Sequence, residues 1–238
     1  MYAWLRTLAR RDESEGALGR HSVLLATLVF LLLALPIVGK MLDQVPSFSV
    51  LLGLVLVAAI FVNLRQRNLF WLSVAVGVPA IAGSVAMAFF DALPLSLSTN
   101  ALALTLMSLT TIILLNSLLQ SDHVSPDTLV GGICVYLLIG LCFAVAFVIL
   151  IELVPGALVY GDDAIVRQAA YPSAHATRLL YFSFVTLTTL GYGDVTPVHD
   201  VAQMLAVAEA VTGQLYLTIF VARLVGLYVG ARRRFGAG

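Results

Sequence analysis

The sequence predicts an all-α membrane protein with six transmembrane helices and one shorter, re-entrant helix. Composition is the first observation: of 238 residues, 61% are hydrophobic and 11% are charged, and the mean hydropathy is +1.01. Soluble domains of this length have about 45–50% apolar and about 25% charged residues. The second observation is that the apolar residues form seven runs, six of which approach the roughly 20 residues of a spanning helix. The formal net charge of +0 predicts no nucleic-acid partner.

Six of the seven apolar runs are candidates for spanning helices. The six spanning runs cover residues 22–38, 48–64, 69–90, 95–119, 128–154 and 201–229. Gly77, Pro79 and Gly83 predict a kink in the third run. The remaining run, residues 177–187, is too short to cross a bilayer. It therefore predicts a re-entrant helix, which is tolerated at membrane depth only where protein or a water-filled cavity surrounds it.

Basic residues predict the orientation, because lysine and arginine collect on the cytoplasmic side of a membrane. With six spans, three basic clusters fall on one side: Arg6, Arg10, Arg11 and Arg20; Arg65 and Arg67; Arg232, Arg233 and Arg234. We therefore expect a multi-pass protein of the cell membrane with both termini in the cytoplasm. The N-terminal stretch has acidic residues and no small-residue cleavage site before the first run, so we expect no cleaved signal peptide.

The most specific motif lies between the re-entrant run and the last spanning run. Residues 188–194 read Thr-Thr-Leu-Gly-Tyr-Gly-Asp, and we call them the filter segment. A backbone whose successive carbonyls point the same way needs φ values that glycine tolerates easily, and Gly191 and Gly193 alternate with Leu190 and Tyr192. Rings of such carbonyls replace the water shell of an ion. The segment resembles the selectivity filter of potassium channels, a Thr-x-Gly-Tyr-Gly loop.

The resemblance covers residues 128–230 and implies a pore domain made of an outer helix, a pore helix, the filter and an inner helix. It implies K⁺ coordination by a filter of five residues: Thr189, Leu190, Gly191, Tyr192 and Gly193. The first four of these are the expected K⁺ sites. One strand of carbonyls cannot surround an ion, so we expect a homotetramer. The resemblance implies a potassium-selective channel and not an enzyme, and we expect K⁺ as the transported ion, no cofactor, and membrane lipids as further partners.

Several residues outside the filter are candidates for supporting or gating it. By resemblance, Glu152 buttresses the filter and Gly213 is a hinge in the inner helix. Many potassium channels have tryptophan where Tyr181 stands, and we expect its hydroxyl to bond Asp194 instead. Glu209, inside the last run, is expected to be a buried acid behind the pore helix. Thr188 completes the candidate support residues, and helical spacing after Gly213 gives the cavity and gate candidates Gln214, Leu217, Val221 and Val225.

The domain boundaries follow from the runs. We expect a cytoplasmic arm at 1–21, a four-helix domain at 22–119, a linker at 120–127, the pore domain at 128–230 and a basic tail at 231–238, with no further cytoplasmic domain after it. Ser125 or Asp127 is expected to cap the fifth helix. The four-helix domain resembles a voltage-sensor domain, but no lysine or arginine occurs from Asn68 through Val166. We therefore expect little or no voltage dependence, since such sensing moves basic charges through the field.

Other classes fit parts of the sequence. The motif also satisfies the Gly-x-Gly-Asp pattern of intramembrane aspartyl proteases. Their chemistry needs a second aspartate, and outside the filter segment Asp43, Asp91, Asp162 and Asp163 fall in expected outer loops. A potassium uptake transporter resembles four fused pore units, whereas this chain has one. A non-conducting subunit that regulates other channels also remains open.

Overall fold

A computed structural model describes residues 21–35, 47–62, 67–87, 90, 92–120, 125–161, 163–165 and 172–235. Within these ranges the chain is mostly helical. The helices are α1 (His21–Leu35), α2 (Ser47–Val62), α3 (Arg67–Ala86), α4 (Leu93–Gln120), α5 (Pro126–Leu153), α6 (Pro172–Leu187) and α7 (Asp200–Phe235). The N-terminal arm and the end of the basic tail lie outside the described residues.

Within the described ranges, three helices are long and apolar enough, by length and composition, to cross a membrane: Leu93–Gln120, Pro126–Leu153 and Asp200–Leu227. They correspond to the fourth, fifth and last predicted runs. The described apolar stretches of α1, α2 and α3 are shorter, so the six-span topology stays a prediction. Helix α3 is continuous through Pro79. Helix α6 covers 16 residues and is too short to span, in keeping with the predicted re-entrant helix.

Helix α5 begins where the sequence places a capping residue. The Ser125 side chain accepts a hydrogen bond from the Thr128 backbone N–H at 3.1 Å, and the Ser125 N–H donates to the Thr128 hydroxyl at 3.4 Å. This reciprocal arrangement is a capping box, which satisfies two otherwise unpaired donors. Ser125, not Asp127, is therefore the N-cap. Asp127 instead contacts His21 of α1, with 2.8 Å between Oδ1 and Nδ1.

The helices share one hydrophobic core. Its buried members come from every helix and include Leu24, Leu52, Ala80, Leu106, Leu138, Leu187 and Tyr216. Helix α4 packs between α3 and α5, and α6 lies against both α5 and α7. The four-helix domain therefore contacts the rest of the chain mainly through the α4–α5 pair.

The polar side chains of α4 are largely satisfied inside their own helix. The hydroxyls of Thr105, Thr110 and Thr111 each donate to the carbonyl four residues earlier, at 2.7–2.9 Å. Bonds of this kind give each hydroxyl proton an acceptor within its own helix. Links between helices also occur, as at Ser108, whose hydroxyl lies 3.8 Å from Cys142 Sγ of α5.

A small antiparallel sheet corrects the all-α prediction. Strands β1 (Leu158–Tyr160), β2 (Asp163–Ile165) and β3 (Val195–Pro197) pair in the order β2-β1-β3. Strand β1 follows α5, and β3 lies between the filter segment and α7. Their pairing therefore connects the chain just after α5 to the chain just before α7. A second apolar cluster lies beneath it and contains Phe147, Leu158, Leu179, Val195 and Ala202 among its buried members.

Candidate functional site

The backbone of the filter segment alternates between left-handed and other conformations. Thr189, Gly191 and Gly193 have φ values of 58°, 60° and 80°. A left-handed residue at every second position turns successive peptide planes so that their carbonyls point to the same side. The two glycines adopt this conformation without steric cost. Thr189 is the one positive-φ residue other than glycine among the described residues, and such a conformation costs of order 1–3 kcal/mol.

The carbonyls of residues 189–193 accept no hydrogen bond from a backbone N–H of the described residues. The N–H groups of Thr188, Thr189 and Leu190 donate back to carbonyls of α6 at 2.9–3.1 Å. Leu190 and Tyr192 are 58% and 66% exposed in the single chain. Since bare carbonyl groups require partners, this row of oxygens is available to a ligand or to solvent.

Helix α6 directs its C-terminal end at the start of the filter segment. The C-terminus of a helix has a partial negative charge of about half an electron, which favours a cation nearby. The hydroxyl of Thr188 donates to the Phe184 carbonyl at 2.6 Å and so caps this end of the helix. On the neighbouring helix α7, the amide of Gln214 lies 3.5 Å from the Thr189 hydroxyl.

Gly213 allows α7 to approach the end of α6 closely. A β-carbon at this position would collide with the carbonyl oxygen of Leu187 and come within 2.8 Å of Leu187 Cδ1. The structure thus gives a packing reason for this glycine. Helix α7 is continuous through it, and the predicted hinge role stays a prediction.

At the outer end of the filter segment, Tyr181 lies beside both Asp194 and Tyr192. The Tyr181 and Tyr192 rings are stacked, with centroids 6.4 Å apart and planes inclined by 1°. Partial removal of water from the Tyr181 hydroxyl, its hydrogen bond to Asp194 and the charge of that carboxylate raise the pKa of Tyr181 above its usual range. The Tyr181–Asp194 pairing expected from the sequence stays a prediction, as does its effect on the filter.

The sheet holds the chain where it leaves the filter. Tyr160 of β1 pairs with Val195 of β3, and the Gly161 N–H donates to the Asp194 carbonyl at 3.1 Å. The guanidinium carbon of Arg178, on α6, lies 4.4 Å from the centroid of the Tyr160 ring. This cation–π contact connects the sheet to the helix that precedes the filter.

Glu209 of α7 lies against helix α6. Its side chain is fully buried, and Oε1 is 2.5 Å from the Ser183 hydroxyl oxygen of α6. Ser183 Oγ also lies 2.6 Å from the carbonyl oxygen of Gly140 on α5. One hydroxyl therefore connects three helices.

Glu152 contacts a different neighbour. Its carboxylate accepts a short hydrogen bond from Ser96 of α4, and the Asn100 amide donates to the Ser96 hydroxyl at 3.3 Å. This contact ties the C-terminal end of α5 to α4. A buttressing role at the filter remains a prediction.

The cavity and gate candidates share one exposed face of α7. Gln214, Leu217, Val221 and Val225 follow each other at helical spacing and are exposed in the single chain. Val201, Leu215 and Ile219 are also exposed, and they lie on another face. Of the most apolar 18 residues of the span Asp200–Leu227, only 17% are buried, whereas 56% are buried in the corresponding stretch of α5. Much of α7 is therefore available for contacts beyond this chain.

Sequence reasoning missed four features of the site. These are the positive φ of Thr189, the bridging hydroxyl of Ser183, the Arg178–Tyr160 contact and the sheet. The Gly161-Asp162 pair after a short apolar run was a usable hairpin signal. The other three depend on contacts between distant segments and have no local signal.

Comparisons with known proteins point to the same part of the chain. Residues 147–229 match a family model described as "Ion channel". Over 50 residues, the chain is 40% identical to a protein described as two pore potassium channel a, from Oryza sativa subsp. japonica. That match covers 21% of this chain and 14% of the relative. No solved structure matches.

These matches support an ion-channel domain with a likeness to potassium channels, in a membrane protein that is mostly helical. They point to a channel rather than to an enzyme. The matched range begins near the end of α5 and contains α6, the filter segment, the sheet strand β3 and most of α7. The chain matches only a small part of its relative's length.

Proposed function

We propose that the protein is a potassium-selective channel that conducts K⁺ passively through a homotetrameric pore, with little or no voltage dependence. One observation carries the proposal: left-handed residues alternate along residues 189–193, and the carbonyls of these residues accept no backbone N–H of the described residues. A K⁺ ion that loses its water needs other oxygens around it, and stacked rings of carbonyls supply them. Residues 189–192 are the proposed K⁺ sites.

The surroundings of the segment support a cation. The C-terminal end of α6 contributes partial negative charge at the inner end of the proposed filter. Asp194 adds a carboxylate at the other end, beside Tyr181. The Thr189 hydroxyl, next to Gln214, offers an additional oxygen below the carbonyls. No group in this arrangement requires a cofactor.

Exposure on α7 supports assembly. A single filter strand leaves one side of the ion open, so four copies around an axis are proposed to complete each ring. In that arrangement the face with Gln214, Leu217 and Val221 lines the cavity, and the face with Val201, Leu215 and Ile219 meets a neighbouring copy. By the distribution of arginine, the proposed orientation puts both termini in the cytoplasm. The proposed location is the cell membrane, that is, the plasma membrane or a bacterial inner membrane.

The proposal is tested by cation flux into liposomes that contain the purified protein. We expect uptake of K⁺ and Rb⁺ and exclusion of Na⁺. In G191A the new β-carbon has nothing within 4 Å in this chain, so the substitution acts through the φ of 60° alone. A left-handed alanine costs about 1–2 kcal/mol, and we expect K⁺ selectivity to be lost.

A matched control separates this effect from general damage. Gly53 lies in helix α2 and also has nothing within 4 Å of an added β-carbon. Since its backbone is helical, G53A is expected to retain flux and selectivity. Equal Na⁺ and K⁺ flux in the unsubstituted protein would contradict the proposal. Absence of flux would favour a non-conducting regulatory subunit, and peptide cleavage that is abolished in D194N would favour the protease.

A further inference from the structure

The Ser183 hydroxyl lies within hydrogen-bond distance of two oxygens, one from Glu209 and one from Gly140. The Ser183 hydroxyl oxygen is 2.5 Å from Glu209 Oε1 and 2.6 Å from the Gly140 carbonyl oxygen. Both separations lie in or near the range of O–H···O hydrogen bonds, about 2.5–3.0 Å. A serine hydroxyl has one proton to donate, and a backbone carbonyl only accepts. If Ser183 donates to Gly140, the contact with Glu209 needs a proton from the carboxyl group.

The environment of Glu209 favours the neutral acid as well. The side chain is fully buried, and its second oxygen, Oε2, has no hydrogen-bond partner among the described residues. A buried anion without compensating donors is far more costly than a neutral polar group. Its described polar neighbours are the Ser183 hydroxyl of α6 and the titratable Tyr136 of α5, and neither offers a positive charge.

We propose that Glu209 is a positioning residue for the filter and acts as a neutral carboxylic acid that donates a hydrogen bond to Ser183. This inference rests on the proposed channel function. Ser183 lies one turn before Leu187, the last residue of α6, and the filter segment follows directly. The chain of bonds from Glu209 to Ser183 to Gly140 therefore fixes α6 between α7 and α5, and with it the start of the filter.

Loss of the Glu209 carboxyl proton removes one of the two hydrogen bonds at Ser183. An ionised Glu209 leaves one hydroxyl proton for two acceptor oxygens, so one of the two contacts becomes a repulsion. The neutral form is present at lower pH and is lost as pH rises. We therefore expect conduction to fall on the alkaline side as α6 loses one of its two attachments.

The test is K⁺ flux into liposomes across a series of pH values for the unsubstituted protein, E209Q and E209A. The amide of E209Q keeps an N–H donor towards Ser183 but has no ionisation in this range. We expect E209Q to conduct within about twofold of the unsubstituted protein at neutral pH and to lose the alkaline decline. E209A removes the donor to a buried group, and we expect about a tenfold loss. D200N, in the first turn of α7, is the control and is expected to keep the original pH profile.

An infrared measurement makes the result independent of conduction. The difference spectrum between the unsubstituted protein and E209Q at neutral pH should contain the C=O band of a protonated carboxyl group. Absence of that band, or an alkaline decline that persists unchanged in E209Q, would overturn the inference. If no variant conducts at any pH, the proposed channel function fails, and the infrared band still decides whether Glu209 holds its proton.

Discussion

Gly213 of α7 faces the carbonyl oxygen of Leu187, the last residue of α6, with no room for a β-carbon between them. The filter segment begins at the next residue. The distance between the end of α6 and α7 is therefore set by the absence of a side chain at residue 213. A helix–helix contact this close places the start of the filter relative to the helix that we propose lines the pore.

We predict that G213A pushes α7 away from α6 and disturbs the filter. Overpacking of a tight contact costs typically about 1–3 kcal/mol, so thermal stability in detergent should fall together with K⁺ flux. Gly226, on the same helix, has nothing within 4 Å of an added β-carbon, and G226A should resemble the unsubstituted protein. A G213A protein of unchanged stability and selectivity that differs only in opening would support the hinge role instead.

The Tyr181–Asp194 hydrogen bond should stabilise the conducting form of the filter. Y181F keeps the ring that stacks on Tyr192 but removes the hydroxyl that reaches Asp194. Because this hydrogen bond to a carboxylate lies at a site open to solvent, we expect a modest effect. We expect faster loss of current during sustained opening, measured in single-channel recordings. Conduction and inactivation that are unchanged in Y181F would rule out this role.

The Arg178–Tyr160 contact gives a third prediction, about the sheet. Y160F keeps the aromatic face under the guanidinium, whereas Y160L removes it. Exposed cation–π contacts are worth about 0.5–1 kcal/mol, so only Y160L should weaken the attachment of β1 to α6. Hydrogen exchange of the amides of β1 and β3 is the measurement, and Y160L should exchange several-fold faster than Y160F. Equal exchange in the two variants would show that the ring face contributes nothing.

Voltage dependence provides a fourth prediction. Helix α4 contains no lysine or arginine, and several of its hydroxyl groups are bonded within the helix. Moving one charge through the field is worth about 2.3 kcal/mol per 100 mV, and α4 offers no basic charge to move. The conductance–voltage relation, recorded without blocking ions, should be nearly flat. A steep relation would require gating charge from elsewhere in the chain.

Local chemistry explains what the sequence could predict. Long apolar runs identified α4, α5 and α7, and the shortness of residues 177–187 indicated a helix that does not span. The pair Gly191 and Gly193 indicated a special backbone because glycine tolerates positive φ without cost. The Ser125-Pro126-Asp127 stretch indicated a helix start, because proline fits the first turn of a helix and serine or aspartate can cap it.

Contacts between distant segments explain what the sequence did not predict. Strand β3 is only three residues long, and its pairing with β1 depends on the fold that brings residues 158 and 197 together. Thr189 takes a positive φ although threonine disfavours it, because the segments on both sides are held in place. Glu209 could be recognised as a buried acid, but its serine partner on α6 could not, since Ser183 looks like any other small polar residue of a membrane helix.

The central claim is that residues 189–193 select K⁺ in a tetrameric pore. Its most direct test is the reversal potential of currents through the purified protein in a planar bilayer, with K⁺ on one side and Na⁺ on the other. We predict a reversal potential close to the K⁺ equilibrium value and a collapse towards zero in G191A, but not in G53A. A reversal potential near zero in the unsubstituted protein would contradict the claim.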